Sequence, residues 1–325
     1  MPEVTLDQIE AASFDALLKH GAADWIARAV ATAVRRAEQT GNVICGLYYL
    51  ESYCTQLASG RVSGNVEPVV TRPRPGAVLA DAKFGFAQAA FARAFEQACT
   101  AARENGTVSL AVAHAHTCTS LGYFTEQFAR EGLIAIGMTN ASPVVAPPGD
   151  KAKTIGTNPI AMSVPAQDGG VGMHFDFSTS AVALGKITMA KAAGERIPLG
   201  WAVDAEGQPT TDPEAALGGA LVSAGGYKGW GFGLMVELLA AGMTGSVNSL
   251  DVGGLKLPDG PPHGLGQFYI VMDPATYSDA FFDRFARVAE AVAAQDGARV
   301  PGASRREIDV VPVPDALWDS IVALT

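Results

Sequence analysis

The sequence predicts an α/β fold with a helical N-terminal part, and three observations carry that expectation. Apolar residues recur at helical spacing from Thr5 to about Ser59. Helical and apolar-strand segments then alternate between Phe86 and Met138. Beyond Pro143, glycine and proline become frequent and short strands recur.

The elements follow in order. Leu6, Ile9, Phe14, Leu17 and Leu18 mark one helix, and the Ala- and Arg-rich run from Trp25 to Glu38 marks a second. Asp7 and Asp24 read as helix-starting residues, with Gly21 and Gly41 as stops. A further helix spans roughly Leu47 to Leu57 and ends at Ser59-Gly60. Gly64 to Pro75 holds three prolines, so it reads as a non-helical connecting arm. Phe86 to Glu104 is a long amphipathic helix, followed by Gly106 and the strand Val108 to Val112. Tyr123 to Glu131 is helical and Leu133 to Met138 is a buried strand. Strands are expected near Met162 and His174, a helix from Gly233 to Met243, a strand over Phe268 to Met272 and a helix over Phe281 to Ala293.

The bulk numbers exclude several classes of function. Of 325 residues, 48% are hydrophobic and 17% charged, which is globular rather than disordered. The net charge of -10 and the lack of a dense Lys/Arg run repel phosphate backbones and anionic lipid, so neither nucleic acid nor a membrane is expected as partner. A small anionic substrate stays open, because a pocket can be locally positive. The acidic start lacks the features of a signal peptide. The apolar stretch Gly231 to Met243 is too short to span a bilayer and contains Glu237. Cys45, Cys54, Cys99 and Cys118 form no CxxC pair and read as reduced thiols of a cytoplasmic protein.

Common nucleotide and metal motifs are missing. Gly229-Trp-Gly-Phe-Gly opens a helix but has the wrong spacing for GxGxxG, and no phosphate loop or HExxH occurs. His114 and His116 stand two apart at the end of a strand, where side chains face one side, so they could share a metal with Asp176 or Cys118. Alternatively, a general acid/base or substrate-contact histidine fits a βα turn, and so do hydrogen-bonded structural histidines. Ile155-Gly-Thr-Asn-Pro-Ile160 fixes a tight turn with exposed donors. Phe175-Asp-Phe-Ser-Thr-Ser180 puts an acid and three hydroxyls directly after a strand, suiting a helix cap or a grip on a ribose and amide.

Together these pieces resemble the malate/L-lactate dehydrogenase family, a non-Rossmann group that includes ureidoglycolate dehydrogenases, diketogulonate reductases, sulfolactate dehydrogenases and cyclic-ketimine reductases. The resemblance is an ordered series covering nearly the whole chain. It runs Gly132-Leu-Ile-Ala-Ile-Gly137, Pro143-Val-Val-Ala-Pro147, Gly156-Thr-Asn-Pro159, Asp176-Phe-Ser-Thr-Ser180 with Gly185-Lys186, and Ile197-Pro-Leu-Gly-Trp-Ala202. Thr210-Thr-Asp-Pro213, Lys228-Gly229, Gly266-Gln267 and Pro301-Gly302 complete it.

The resemblance implies a nicotinamide-binding mixed sheet, a homodimer, and NADPH or NADH as cofactor. It implies a helical part over 1–65 with dimer and substrate contacts, a cofactor-binding core over 66–300, and a C-terminal segment, 301–325, returning to the helical part. Gly156, Thr157, Asn158, Phe175, Asp176, Phe177, Ser178, Tyr227 and Lys228 would hold the cofactor, with Pro301 and Gly302 closing over it. Asp176 would orient the amide or the proton donor. The substrate would be a small carboxylate, either a 2-oxo acid or a cyclic ketimine.

Five departures from the family pattern bear on chemistry. The family carries Ser-His-Gly and, three residues on, an arginine; the histidine is the proton donor and the arginine grips the substrate carboxylate. Here Ile44, Cys45 and Tyr49 fill the serine, histidine and arginine positions. A second family histidine falls on Thr117, and Ala303 stands where an acid often follows Pro-Gly. Three readings follow. The first is an active reductase whose acid has moved to His116, or to Cys45 or Tyr49, with Arg61, Arg196 or backbone N–H groups holding the carboxylate. An imine protonated before hydride attack needs the acid least, which favours a ketimine. The second is a nicotinamide-binding chain without catalysis, and the third a metal-dependent hydrolase around His114 and His116.

Overall fold

The computed structural model describes residues 1–305 and 307–325. Strand β1 (Glu3–Thr5) runs into helix α1 (Leu6–Lys19). The helix starts on Thr5 rather than Asp7: Gln8 N donates to Thr5 Oγ1 at 3.2 Å, and Thr5 N donates to Gln8 Oε1 at 2.9 Å. That reciprocal pair satisfies two otherwise free N–H groups, and Asp7 sits in the first turn, where the helix dipole favours a negative charge. Helix α2 (Asp24–Gln39) begins on Asp24 but has no side-chain cap. Gly21 and Gly41 stop the two helices at φ values of 102° and 74°, which glycine adopts without a Cβ penalty. Helix α3 (Leu47–Ala58) completes this part, and Ile9, Leu17, Ile26, Val30, Leu50 and Tyr53 bury one another between the three helices.

The proline-rich arm is more regular than its sequence predicts. Strand β2 (Val69–Arg74) pairs antiparallel with β3 (Ala77–Asp81). Pro73 is tolerated because β2 is an edge strand whose register shifts between Thr71 and Arg74, so no ladder donor is missed.

The chain continues through α4 (Ala87–Asn105), β4 (Thr107–Ala115), α5 (Gly122–Arg130), β5 (Ile134–Thr139), β6 (Ile160–Pro165) and β7 (Val171–Phe177). Helix α6 (Leu184–Ala193), β8 (Ala202–Val203), β9 (Pro209–Thr210), α7 (Pro213–Gly218) and β10 (Ala220–Leu221) then form a lateral unit around a three-stranded sheet. Helix α8 (Tyr227–Glu237) passes into a π-turn over Leu238–Gly242, followed by β11 (Leu265–Met272) and α9 (Phe281–Ala293). Strand β12 (Val310–Pro312) and α10 (Asp315–Leu324) end the chain.

The main sheet is mixed, with the order β2-β3-β4-β11-β5-β6-β7. Only β3 and β4 pair in parallel, joined by α4. Strand β11 enters late in the chain and lies antiparallel between β4 and β5. Helices α4 and α5 cover one face, where Phe91 meets Phe124 edge-on at 4.8 Å and 71° and both face Tyr269. Val236 and Ala240 cover the other face against Phe268 and Met138. Burial of each such side chain stabilises by about 1.5–3 kcal/mol. The chain ends meet: β1 pairs antiparallel with β12, Val4 opposite Val311, and α10 packs on α3.

Helix α8 begins at Tyr227, earlier than the apolar run from Gly233 suggests, because its glycines read as breakers. They serve close packing instead: a Cβ on Gly233 would lie 2.6 Å from Ile155 Cδ1. No described helix is long and apolar enough to cross a membrane.

Candidate active site

A cleft of about 900 Å³ opens beyond the ends of β4 and β5. The loops Thr117–Thr119 and Thr139–Val144 line it, with Ile44, Cys45 and Tyr49 on one wall. Ala183 and Leu184 at the start of α6, Thr157 and Pro159, and a loop over 252–257 close the remainder. Crevices at strand ends are where open α/β sheets bind ligands.

Glu38 positions the Cys45 wall. It is buried, and its Oε1 accepts the Leu47 N–H at 2.7 Å, serving as the acceptor at the start of α3. Gly46 has no side chain because Glu38 Cγ lies 2.9 Å from where its Cβ would be. Cys45 therefore ends the short turn Val43–Cys45 with its thiol at the cleft. Burial, then the Asp176 carboxylate, push that thiol up to about 12, so it holds its proton at neutral pH. Asp176 Oδ2 accepts the Gly122 N–H at 2.7 Å at the first turn of α5. Crowding by surrounding protein atoms raises the Asp176 carboxyl above its usual range, more than that bond and Arg305 lower it. Tyr49 is buried, donates from Oη to Leu255 O at 3.3 Å, and is held above its ordinary range by burial and then by Cys45.

The structure does not bring His116 to this cleft. Its ring is 2% exposed, stacked on His263 at 4.1 Å and 18°, with Nε2 2.6 Å from Gln56 Oε1 and Nδ1 without a partner. Burial, then the neighbouring His263, hold it well below its ordinary range, so the ring is neutral. His114 turns elsewhere, with Nδ1 3.0 Å from Asp81 Oδ1 and Nε2 3.1 Å from Gly245 O. The two histidines thus serve different partners and do not converge. Among the described residues no group of three His, Cys, Asp or Glu side chains is placed to hold a metal ion.

Neither arginine named from the sequence is free for a carboxylate. Arg196 donates to Thr211 Oγ1 at 2.9 Å in the lateral unit, away from the cleft. Arg61 is 2% exposed and is spent on the 252–263 loop: Nη1 donates to Gly254 O at 3.0 Å and Leu257 O at 2.5 Å, and Nε to Pro261 O at 3.1 Å. That loop brings to the cleft a side chain that the sequence reading missed, Lys256. Its setting, Leu255-Lys256-Leu257 between glycines and a proline, was the available signal.

The residues assigned to the cofactor divide by environment. Thr157 O accepts both the Thr179 N–H at 2.9 Å and Thr179 Oγ1 at 3.1 Å, and Ser180 bridges to Ser223. This knot joins the Gly156–Pro159 turn, the segment after β7 and the start of α8. Gly156 is required where a Cβ would lie 2.6 Å from Ala141 O. Asn158 is buried, and its Nδ2 donates to Gly233 O at 3.0 Å and Glu237 Oε2 at 2.9 Å, so its amide N–H groups hold α8. Ser178 exchanges hydrogen bonds with Ser180. Tyr227 and Lys228 are exposed on the first turn of α8, which has no side-chain cap and follows Gly225 and Gly226 at φ 64° and 65°. Ser223 Oγ beside them is buried without a partner. Free helix-start N–H groups, an unpartnered hydroxyl and a lysine fit an anionic phosphate. Phe175 and Phe177 stack at 4.6 Å and 19° on the edge strand β7, offering an aromatic face. Pro301 O accepts the His174 N–H at 3.0 Å, which seats Pro301 and Gly302 against β7 two residues before Asp176.

A mixed sheet, an uncapped helix start and a largely apolar cleft at the strand ends together make the plan of an α/β enzyme. The chain belongs to the malate/L-lactate dehydrogenase family, whose sequence pattern matches residues 4–322. A (2R)-3-sulfolactate dehydrogenase (NADP(+)) from Chromohalobacter salexigens is 38% identical over 325 residues, covering 98% of this chain and 97% of that protein. A Delta(1)-pyrroline-2-carboxylate/Delta(1)-piperideine-2-carboxylate reductase from Pseudomonas putida is 38% identical over 295 residues, covering 90% of this chain and 86% of that one. The crystal structure of delta1-piperideine-2-carboxylate reductase from Pseudomonas syringae superposes with a TM-score of 0.93 at 32% identity, covering 100% of both chains.

Proposed function

We propose that this chain is an NADPH-dependent reductase of a small cyclic imine carboxylate. The observation that carries the reading is Cys45. It stands where the family's proton-donating histidine is expected, and its thiol is pushed up to about 12, while Tyr49 beside it is held higher still. Neither side chain therefore matches a general acid working near neutral pH, whose ideal acidity lies close to the working pH. A cyclic imine that enters as the iminium already carries its proton on nitrogen. Hydride addition at carbon then gives the neutral amine with no further proton needed, whereas a 2-oxo acid needs one at the developing alkoxide.

The residues have distinct parts in this reading. When bound, reduced nicotinamide supplies the hydride. Lys228, the free N–H groups at the start of α8 and Ser223 bind its phosphates, Phe175 and Phe177 offer a stacking face, and Thr157 and Ser178 border it. Asp176 holds a negative charge near the reacting centre, which favours an iminium over a neutral imine. Pro301 and Gly302 close the β7 side. Leu184, Met189, Tyr227, Phe232, Leu238 and Met243 are exposed apolar side chains on and around α6 and α8, and they support a homodimer. Four free thiols fit a cytoplasmic setting.

The test is NADPH oxidation with Delta(1)-pyrroline-2-carboxylate, Delta(1)-piperideine-2-carboxylate, pyruvate and 3-sulfopyruvate. Turnover of the cyclic imines with little on pyruvate is expected. Activity on 2-oxo acids alone would overturn the imine assignment, and tight NADPH binding with no turnover of any compound would favour a non-catalytic role.

A further inference from the structure

Among the described residues, Lys256 is the one charged side chain on the wall of the cleft; thiols, hydroxyls, an amide and apolar groups make up the remainder. Its ammonium lies over the faces of Tyr48 at 3.9 Å and Tyr49 at 5.1 Å instead of against a carboxylate. A lysine without a task gains freedom by swinging into water, because fixing its stem costs rotamer entropy. Here the backbone that carries it is fixed from beneath. Arg61 bonds three carbonyls of the loop. Gln56 Nε2 donates to Leu255 O at 2.9 Å and Leu257 O at 2.7 Å, and Tyr49 Oη also reaches Leu255 O. Withdrawing a guanidinium from water to hold one loop costs desolvation energy, and that cost has a purpose if the loop's position matters.

The electrostatic setting points the same way. The protein carries a formal charge of -10, so an anion is repelled at long range and needs a local cation to enter. Inside a cleft with apolar walls, a point charge attracts an anion more strongly than it would in bulk water. Lys256 stands on the wall shared with Cys45 and Tyr49, within reach of anything bound against the Cys45 thiol.

We propose that Lys256 binds the carboxylate of the substrate and that Arg61, Gln56 and Tyr49 are positioning residues that hold its loop in place. This rests on the reading of the substrate as a small carboxylate. It assigns the anion-binding role to a loop after α8, a segment separate from Cys45, so substrate affinity and chemistry reside on different elements.

The test uses the full-length chain saturated with NADP(+), two planar probes and calorimetric titration. Pyrrole-2-carboxylate carries the anion; pyrrole-2-carboxamide has the same shape without charge. Lys256→Met should weaken the carboxylate by roughly 10- to 100-fold, the range for a lost charge-assisted hydrogen bond, and leave the carboxamide and NADPH affinities unchanged. Lys256→Arg should keep most of the carboxylate affinity, since it keeps the charge. Equal binding of the carboxylate by wild type and Lys256→Met, both saturated with NADP(+), would overturn the assignment of Lys256 alone. A wild-type chain that binds NADPH but not the carboxylate would overturn the substrate reading and this inference with it.

Discussion

Replacing Arg61 with Met removes the guanidinium that ties the 252–263 loop to the segment following α3 while keeping an apolar stem of similar length. Three hydrogen bonds are lost, to Gly254 O, Leu257 O and Pro261 O. Each bond from a charged donor is worth roughly 1.5–3 kcal/mol, but the three share one group, and the freed carbonyls can turn to water. Gln56, Tyr49 and Ser59 still hold the loop at Leu255, Leu257 and Pro258. The net loss should be about 2–4 kcal/mol, confined to the loop, which raises its opening equilibrium about 30- to 1000-fold. Amide hydrogen exchange reads this directly, because the Leu257 N–H is protected by Gly254 O at 3.2 Å. Exchange should accelerate over 252–263 and stay constant over β5 and β11, with a raised KM for the imine substrate and unchanged NADPH affinity. Unaltered exchange in the loop, or an equal rise across the sheet, would refute the view that Arg61 acts through this loop.

Other predictions follow from the same geometry. Burial lowers His174 from 6.5 to about 4 and His263 from 6.5 to about 3, with neighbouring arginines adding to the effect. The unfolded chain binds protons that the folded chain refuses, so stability is full above pH 6.5 and falls as pH drops toward 4, by at most about 3 kcal/mol for each. Thermal melts across that range should show the fall, and a flat melting temperature would contradict it. Gly266→Ala would drive a Cβ into the Ala240 carbonyl oxygen of the π-turn and should destabilise by about 1–3 kcal/mol or more, seen as a lower denaturation midpoint. Cys45→His would place an imidazole near Asp176 and should raise pyruvate reduction by about 10²-fold with a rate that falls as the imidazole loses its proton. An unchanged pyruvate rate would show that proton supply at this position does not limit the reaction.

Much of the fold was legible because helical periodicity is written directly into α1, α2, α3, α4 and α9. The short strands of the lateral unit carried too little pattern to read, and α8 was partly hidden because its glycines are there for close packing against Ile155. The strand within the proline-rich arm was missed because Pro73 is disallowed in a central strand and harmless at the edge that β2 occupies. At the site, the ordered motifs contained Thr157, Thr179 and Ser180, which the structure draws together, but not Ser223, which joins them. They could not tell an exposed Lys228 from an Asn158 whose amide is turned inward to Glu237. His116 attracted notice by its type, yet its ring lies behind Gln56, and a three-dimensional fact of that kind has no local signature. Lys256 lies about two hundred residues from Cys45 in sequence, so only the folded chain places both on one cleft wall.

The central claim is hydride delivery to a cyclic imine carboxylate, and isotope transfer tests it most directly. The chain is given NADPH deuterated at the transferable position of nicotinamide C4, with Delta(1)-pyrroline-2-carboxylate and pyruvate in equal amounts, and the products are read by mass spectrometry. The account predicts proline carrying one deuterium at C2 and little labelled lactate. Labelled lactate with unlabelled proline, or none formed, would contradict it.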